Sequence, residues 1–125
     1  MKLFVPIIAV AMAFATACAN DATSPSVSIQ GTWTLRTLNG QSLPVQLNNG
    51  AVVTNEQRTL NSDGTYTDVV FFSSGNSSNE FGSYSVNGNS ITFDDQTDNF
   101  SYTGSISGNV LTAFDGSFTA VYQKS

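Results

Sequence analysis

Three closely spaced aspartates are the residues in this sequence best suited to chemistry. Asp94, Asp95 and Asp98 stand beside Asn99, and carboxylate and amide oxygens are the ligands that a hard cation such as calcium takes. Their spacing does not match a known calcium-binding loop. Because an acid-rich turn between two strands would have the same composition, we predict no metal site here and leave cation binding by these aspartates open.

Catalysis finds little support among the other polar residues. The chain contains no histidine, which is the commonest general base and the commonest metal ligand. Activation of a serine needs an adjacent base, and the groups that could act as this base are carboxylates, tyrosines and Lys124. Two acids could act as in a glycosidase, but the sequence singles out no pair. We therefore predict no catalytic residues, no enzymatic activity and no cofactor.

The charge of the chain excludes a second class of function. The formal net charge is −5, and removal of an N-terminal segment that contains Lys2 would make it about −6. The remaining cations are Arg36, Arg58 and Lys124, which are far apart in the sequence. Three dispersed cations cannot neutralise a run of phosphates. Nucleic-acid binding is therefore not expected.

The N-terminus has the pattern of a secretory signal peptide. Lys2 is followed by an uncharged run of apolar and small residues from Leu3 to Ala17. This run is shorter than the roughly 20 residues that a membrane-spanning helix needs. A short positive start, an apolar centre and a small-residue site are typical of export signals, so residues 1–17 are predicted to be a signal peptide.

Cys18 directly follows the small residues Ala15-Thr16-Ala17 and is the single cysteine of the chain. This arrangement resembles a bacterial lipoprotein signal, in which the cysteine is lipidated and becomes the mature N-terminus. The resemblance implies an exported protein anchored by lipid in the bacterial cell envelope, in the outer membrane or facing the periplasm. The alternative is ordinary secretion with an incidental free thiol. The lipoprotein is favoured, because a lone cysteine in an exported chain has no internal disulfide partner.

Residues 18–30 are predicted to form a flexible tether that begins with the lipidated cysteine. The segment is polar, contains Ser24-Pro25-Ser26 and shows no amphipathic period. Such composition is typical of linkers. The folded domain is therefore predicted to cover residues 31–125.

Tight-turn dipeptides divide the chain from residue 31 onward. They are Asn39-Gly40, Asp63-Gly64, Asn87-Gly88, Gly108-Asn109 and Asp115-Gly116, all favoured where the backbone needs positive φ. The runs between them are rich in Thr, Val, Phe and Tyr, which favour strands. The predicted strands cover about 31–38, 51–60, 65–73, 81–87, 90–94, 99–107, 110–114 and 117–124. Residues 51–60 are the least strand-like, because Glu56-Gln57-Arg58 would also tolerate a helix.

Alternation within the strands predicts which side faces the core. Phe100, Tyr102, Gly104 and Ile106 fall on one face of their strand, and small polar residues fall on the other. Other inward residues are Trp33 and Leu35 in the first strand, Tyr66, Val70 and Phe72 in the third, and Phe118, Ala120 and Tyr122 in the eighth, with Asp68 as a polar exception. One apolar and one polar face is typical of an antiparallel sheet that meets water. We predict an all-β, antiparallel up-and-down meander that closes into a small eight-stranded barrel, which removes exposed sheet edges.

The sequence Gly31-Thr32-Trp33, followed by a meander and a last strand that ends Tyr122-Gln123-Lys124, resembles the small lipocalin-like domains of bacterial lipoproteins. The resemblance covers residues 31–124. It implies that the tryptophan closes one end of the barrel and that a basic residue of the last strand, here Lys124, packs over it. Gly31, Trp33 and Lys124 are thus the expected closure residues.

Two functions remain compatible with such a barrel. An eight-stranded interior is either filled by side chains or holds one small ligand. The first prediction is non-catalytic binding of a small apolar molecule by a monomer, with Tyr66, Phe72, Tyr84, Phe93 and Tyr102 as the ligand-binding candidates. The alternative is a structural or protein-interaction module of the cell envelope with a filled core. Large inward residues favour a mostly filled interior, with any site near the open end beside a long mobile loop over residues 73–79.

Overall fold

Ten antiparallel strands form the protein in the computed structural model, which describes residues 29–125. They are β1 (Gly31–Leu38), β2 (Gln41–Ser42), β3 (Val45–Gln46), β4 (Val52–Leu60), β5 (Thr65–Phe72), β6 (Ser77–Asn87), β7 (Ser90–Asp95), β8 (Phe100–Ser107), β9 (Val110–Phe114) and β10 (Thr119–Lys124). Within residues 29–125 no helix has the length and hydropathy that crossing a membrane requires. The predicted signal peptide, Cys18 and the predicted tether as far as residue 28 lie outside the described residues.

The eight longer strands form the predicted barrel. Each of β4 to β10 pairs with its neighbour along the chain, β10 pairs with β1, and β1 pairs with β4 to complete the circle. The short turns that favour positive φ allow this order, because each hairpin returns the chain beside the strand it has just left. The prediction of an antiparallel meander that closes into an eight-stranded barrel is therefore confirmed.

The closing seam is hydrogen-bonded along only part of its length. Residues 31–34 of β1 pair with residues 57–60 of β4, and beyond them the two strands separate. The gap is occupied by residues 39–51, where β2 pairs with the end of β1 and β3 pairs with the start of β4. The strand prediction did not include these two short strands, each of two residues.

The predicted loop over residues 73–79 is wrong in its extent. Strand β6 begins at Ser77, and Ser77 to Asn79 pair with Phe71 to Val69 of β5. Only residues 73–76 form the turn. The polar side chains that suggested a loop are exposed on the outer face or at the rim of a paired strand, where they need no apolar neighbour.

The two ends of the barrel differ in construction. One end, here called the closed end, carries the turns at residues 61–64, 88–89 and 108–109 and the start of β1. The other end, here called the mouth, carries the turns at residues 73–76, 96–99 and 115–118 and the longer segment 39–51. Seven large side chains are almost completely buried inside: Trp33, Leu60, Tyr66, Ile91, Phe93, Leu111 and Tyr122.

Trp33 occupies the closed end with no exposed surface. Its indole Nε1 donates a hydrogen bond of 2.8 Å to the carbonyl of Ile29, and the Ile29 side chain packs against the core. Residue 29, which the sequence placed in the tether, therefore contacts the barrel. The hydrogen bond satisfies the one polar atom that burial of the indole would otherwise leave without a partner.

Gly31 makes room for Lys124 beside the tryptophan. Lys124 is the register partner of Trp33 in the β1–β10 pair. A Cβ atom at residue 31 would lie 3.1 Å from Cε of Lys124, and the φ angle of Gly31 is +123°. Both the crowding and the backbone angle favour glycine, so the three expected closure residues are neighbours at the closed end.

Replacement of Trp33 by alanine should destabilise the barrel by about 3–5 kcal/mol, the usual cost of emptying a large aromatic site. Total stability of a domain this size is about 5–15 kcal/mol, so urea unfolding will show the change clearly. Phe81, which is 54% exposed, supplies the control: Phe81→Ala should stay within about 0.5 kcal/mol of the parent protein. Equal unfolding midpoints for the two variants would contradict the assignment of Trp33.

Candidate binding site at the mouth of the barrel

A β-bulge in β4 turns two charged side chains into the barrel. The pairing of β4 with β5 shifts register between Val53 and Asn55. After this shift Glu56, Arg58 and Leu60 face inward and are buried. Without the extra residue the alternation that starts at Val53 would point Asn55 inward instead, because side chains alternate with a period of two.

The inward charges form a row across three neighbouring strands. Arg58 of β4 lies opposite Asp68 of β5, and Asp68 lies opposite Glu80 of β6. Asp95, at the end of β7, lies opposite Gly82, two residues further along β6. A Cβ atom at residue 82 would lie 1.9 Å from the carbonyl oxygen of Asp94, so only glycine permits this close strand approach beside the row.

Arg58 is paired with two carboxyl groups inside the barrel and is only 4% exposed. Its Nη2 donates to Oδ2 of Asp68 at 3.3 Å and lies 3.6 Å from Oε2 of Glu56. The hydroxyl of Tyr122 donates to the same Glu56 oxygen at 2.6 Å. Such partners are what a buried charge needs, since desolvation without them costs several kcal/mol.

Aromatic rings surround the same guanidinium. The Cζ atom of Arg58 lies 4.6 Å from the ring centroid of Phe93 and 4.9 Å from that of Tyr122. Tyr66 and Tyr102 follow at 5.4 Å and 5.5 Å. Nε and Nη1 of Arg58 have no hydrogen-bond partner among the described residues, and attraction to the ring faces offsets part of that loss.

Burial changes the protonation of Glu56. Desolvation, followed by the negative charge of Asp68, raises the pKa of the Glu56 carboxyl well above its ordinary value of 4.5. Asp68 itself is 2% exposed. The proton that the raised pKa keeps on Glu56 can be shared with Asp68, whose Oδ1 has no other hydrogen-bond donor among the described residues. The floor of the mouth therefore has more carboxyl groups than one guanidinium can neutralise.

A cavity of about 310 Å³ opens above this floor. Its floor contains Arg58, Asp68, Tyr102 and Tyr122. Its apolar lining comes from Leu38, Leu47, Val53, Val70, Phe72, Phe100, Ala113, Phe118 and Ala120. The apolar lining residues lie toward the mouth, whereas Trp33 is not part of the lining. The barrel is thus filled at the closed end and open at the mouth.

Three carboxyl groups converge on one wall of the cavity. One oxygen each of Glu80, Asp95 and Asp98 lies within 4.8 Å of the other two. Oδ1 of Asp95 accepts hydrogen bonds from the backbone N–H groups of Thr97 at 2.9 Å and of Asp98 at 3.2 Å. These bonds fix the turn after β7, so Asp98 is held beside Asp95.

The structure separates Asp94 from Asp95 and Asp98, which the sequence analysis had grouped together. Asp94 is exposed on the outer face, where the hydroxyl of Ser101 donates to its carboxylate. Neighbouring residues of a strand point to opposite faces, so Asp94 and Asp95 cannot share a site. Glu80 takes the third place, because β6 and β7 are adjacent in the sheet.

The convergence changes the protonation of Glu80. Desolvation, then the negative charge of Asp95, raises the pKa of Glu80 from 4.5 to about 8. At neutral pH this carboxyl is therefore mostly protonated in the ligand-free barrel. A positive charge placed beside it would favour the ionised form.

The five aromatic ligand-binding candidates occupy three places. Phe72 and Tyr102 line the cavity. Tyr66 and Phe93 lie beneath it and contact Arg58. Tyr84 is absent from the cavity lining, and its hydroxyl donates to the carbonyl of Asn61 at 2.5 Å, at the closed end. Their part in binding stays a prediction.

The residues that sequence reasoning missed are the charged ones. Glu56, Arg58 and Glu80 line the cavity but were not singled out as site residues. One signal for them was present. Asp68 interrupts an apolar face, and a buried carboxylate needs a cation nearby. Counting back from the inward Leu60 in steps of two points to Arg58 and Glu56.

Removal of the Asp68 charge tests the buried network. Asp68→Asn should destabilise the protein by about 3–5 kcal/mol, because it leaves the Arg58 charge in the interior without its nearest anion. Asp94→Asn removes the same charge from the outer face and should change the free energy of unfolding by at most about 0.5 kcal/mol. Chemical denaturation of both variants measures the difference, and a mild effect at Asp68 would show that Arg58 is not held by it.

Comparison with known proteins agrees with the geometry. A family model described as a lipocalin-like domain matches residues 29–113, which is more than half of the chain and reaches from the start of the described residues into β9. Neither the curated proteins nor the solved structures contain a match to the chain. The family match, together with the eight-stranded barrel, shows that this chain belongs to the family of lipocalin-like domains.

Proposed function

We propose that this protein binds one small molecule, without catalysis, in the cavity at the mouth of its lipocalin-like barrel. The observation that carries the proposal is the cavity of about 310 Å³ in a barrel that is otherwise filled. This volume is at the lower end of the range typical of small-molecule sites, about 300–1,000 Å³. The ligand is therefore small.

The lining suits a molecule with an apolar part. Leu47, Phe72 and Phe118 supply apolar surface near the mouth, and burial of apolar area is the main favourable term in such binding. The mouth is open, so part of the ligand stays in water. Affinity is accordingly modest, in the micromolar range or weaker.

Two facts support binding rather than catalysis. The sequence has no histidine, and the cavity polar groups are carboxyl groups, tyrosines, Ser78 and the paired Arg58. The one hydroxyl–carboxyl pair described among them, Tyr122 on Glu56, is buried in the Arg58 network, so it does not present an accessible nucleophile beside a base. The alternative of a structural or protein-interaction module with a filled core is less favoured, because the mouth has room for a ligand.

Export and lipid anchoring complete the proposal. They are supported by the apolar N-terminal run and by Cys18 directly after Ala15-Thr16-Ala17. Acylation contributes about 0.8 kcal/mol per buried CH₂ group, so more than one chain on a cysteine holds a protein firmly at a membrane. The proposed protein is a monomer that faces the periplasm or the outer surface of a bacterial envelope and does not bind nucleic acid.

The anchor is tested at Cys18. Expression of the full chain in a bacterium with lipoprotein processing should yield a mature protein whose intact mass exceeds that of the polypeptide from residue 18 by the mass of its acyl groups. Cys18→Ser should appear in the soluble fraction after export, because the acceptor thiol is gone. An unmodified mass for the parent protein would contradict lipid anchoring and leave the barrel assignment untouched.

The cavity is tested with N-phenyl-1-naphthylamine, a neutral apolar fluorescent probe. The probe should bind at one site with micromolar or weaker affinity. Ala113→Leu places a larger side chain in the cavity and should abolish binding. Thr112→Leu, whose side chain points the other way along the same strand, is the matched control and should bind the probe as the parent does.

Two results of this titration would contradict the proposed site. Equal probe binding by the Ala113→Leu and Thr112→Leu variants, with both folded by circular dichroism, would place the probe outside the cavity. Tight, submicromolar binding would require a deeper pocket that reaches the closed end. Either result would overturn the proposed site.

A further inference from the structure

Carboxyl groups outnumber cationic groups in the lining of the cavity. They belong to Glu56, Asp68, Glu80, Asp95, Asp98 and Asp115, whereas the single cation of the lining is Arg58. Both ion pairs formed among residues 29–125 use Arg58, with Glu56 or Asp68 as the partner. The other four carboxyl groups have no cationic partner in that part of the chain.

The carboxyl trio has the dimensions of an ammonium site. Three oxygens that lie within 4.8 Å of one another can all be about 2.8 Å from one atom between them, which is the usual length of an N⁺–H···O⁻ hydrogen bond. A primary ammonium group has three N–H donors and no acceptor. With Glu80 ionised, Glu80, Asp95 and Asp98 therefore offer one acceptor oxygen for each N–H donor, charge of the opposite sign and hydrogen-bond distances.

Asp68 adds an independent sign of uncompensated negative charge. It is 2% exposed and lies next to Glu80 in the cross-strand row. Its Oδ2 faces Arg58, while its Oδ1 has no hydrogen-bond donor among the described residues apart from the proton that it can share with Glu56. A buried carboxylate oxygen in the cavity lining that depends on one shared proton favours positive charge on this wall.

Arg58 does not make the cavity a site for anions. It is 4% exposed, paired with Asp68 and covered by aromatic rings. An anionic ligand would approach the carboxyl wall before it reached the guanidinium. Calcium is also a poor match, because it takes six to eight oxygens, whereas one oxygen from each of three carboxyl groups converges here.

We propose that the cavity selects small molecules that carry a primary ammonium group on an apolar body. The ammonium group binds between Glu80, Asp95 and Asp98, and the apolar body contacts the side chains of Phe72 and Phe118 at the mouth. This inference rests on the proposed function, since it names the class of ligand for the same cavity. It differs from the expectation of a purely apolar ligand by adding one positive charge.

Binding of the cation is coupled to proton release. The titratable and charged groups that line the cavity together with Glu80 are Asp68 from β5, Asp95 from β7, Asp98 from the next turn, Glu56 and Arg58 from β4, Tyr102 from β8, Asp115 from the turn after β9 and Tyr122 from β10. Burial, then the charges of Asp95 and Asp68 and hydrogen bonds with Asp98 and Asp95, raise the pKa of Glu80 to about 8. The ammonium group favours the ionised carboxylate, so the ligand binds more tightly as pH rises toward that value.

The test compares n-octylamine, n-octanol and octanoate, which share one chain length and differ in charge. Each is titrated against the full-length protein by displacement of N-phenyl-1-naphthylamine. The titration is done at pH 8.5, because an alkylamine with a pKa near 10.4 is still charged at that pH. We expect n-octylamine to bind at least tenfold more tightly than the other two. Added salt should weaken the amine and leave the alcohol unchanged.

Three variants locate the charge effect. Glu80→Gln and Asp98→Asn should each reduce n-octylamine affinity about tenfold and leave n-octanol affinity unchanged. Asp94→Asn removes the same charge from the neighbouring outer face and should leave both affinities unchanged. For one released proton, amine affinity of the parent protein should rise by up to about 50-fold between pH 6 and pH 8, and Glu80→Gln should flatten this rise.

The possible failures are distinguishable. If none of the three molecules displaces the probe and the probe itself does not bind, the proposed function fails. If n-octanol binds as tightly as n-octylamine, the cavity binds ligands but the ammonium inference is overturned. Displacement of n-octylamine by calcium chloride at micromolar concentration, with no such effect of sodium chloride, would overturn it in favour of a metal site.

Discussion

Burial of one guanidinium group organises the interior of this barrel. Arg58 has two carboxyl groups within 3.6 Å and four aromatic rings within 5.5 Å of its Cζ atom. A charge removed from water is stable only with such partners, so the side chains that surround it have little freedom to vary. Asp68, Glu56 and Tyr122 have their polar atoms directed at this network instead of at solvent.

The network also separates the two halves of the barrel. Toward the closed end the interior contains Trp33 and other large side chains packed without exposure. Toward the mouth β1 and β4 are no longer paired, residues 39–51 fill the upper part of the β1–β4 seam, and a cavity remains. The packed apolar end supplies much of the stability that a small domain needs. The other end can therefore be polar and partly open, as a binding site requires. The excess of carboxyl groups at the mouth is costly unless protons or a cation neutralise it.

Much of the architecture follows from the sequence alone. Asn-Gly and Asp-Gly pairs favour tight turns because these residues tolerate positive φ. The hairpins and seven of the eight long strands were therefore predicted within a few residues of their ends. The eighth, β6, begins four residues earlier than predicted. Alternation in β5 and β8 identified Tyr66 and Ile106 as core residues, and both are buried. These inferences succeed because they depend on interactions between residues that are close in the chain. The position of Trp33 at one end of the barrel was implied instead by the resemblance to lipocalin-like domains.

Only the tertiary structure decided the composition of the candidate site. The bulge in β4 shifts the alternation, so Arg58 and Glu56 face inward although their segment had the least strand-like sequence. Glu80 joins Asp95 because β6 and β7 are adjacent, while Asp94 is turned away by the period of the strand. Register and bulges depend on pairing between strands distant in the sequence, and that pairing, not local propensity, determines which charges meet inside the barrel.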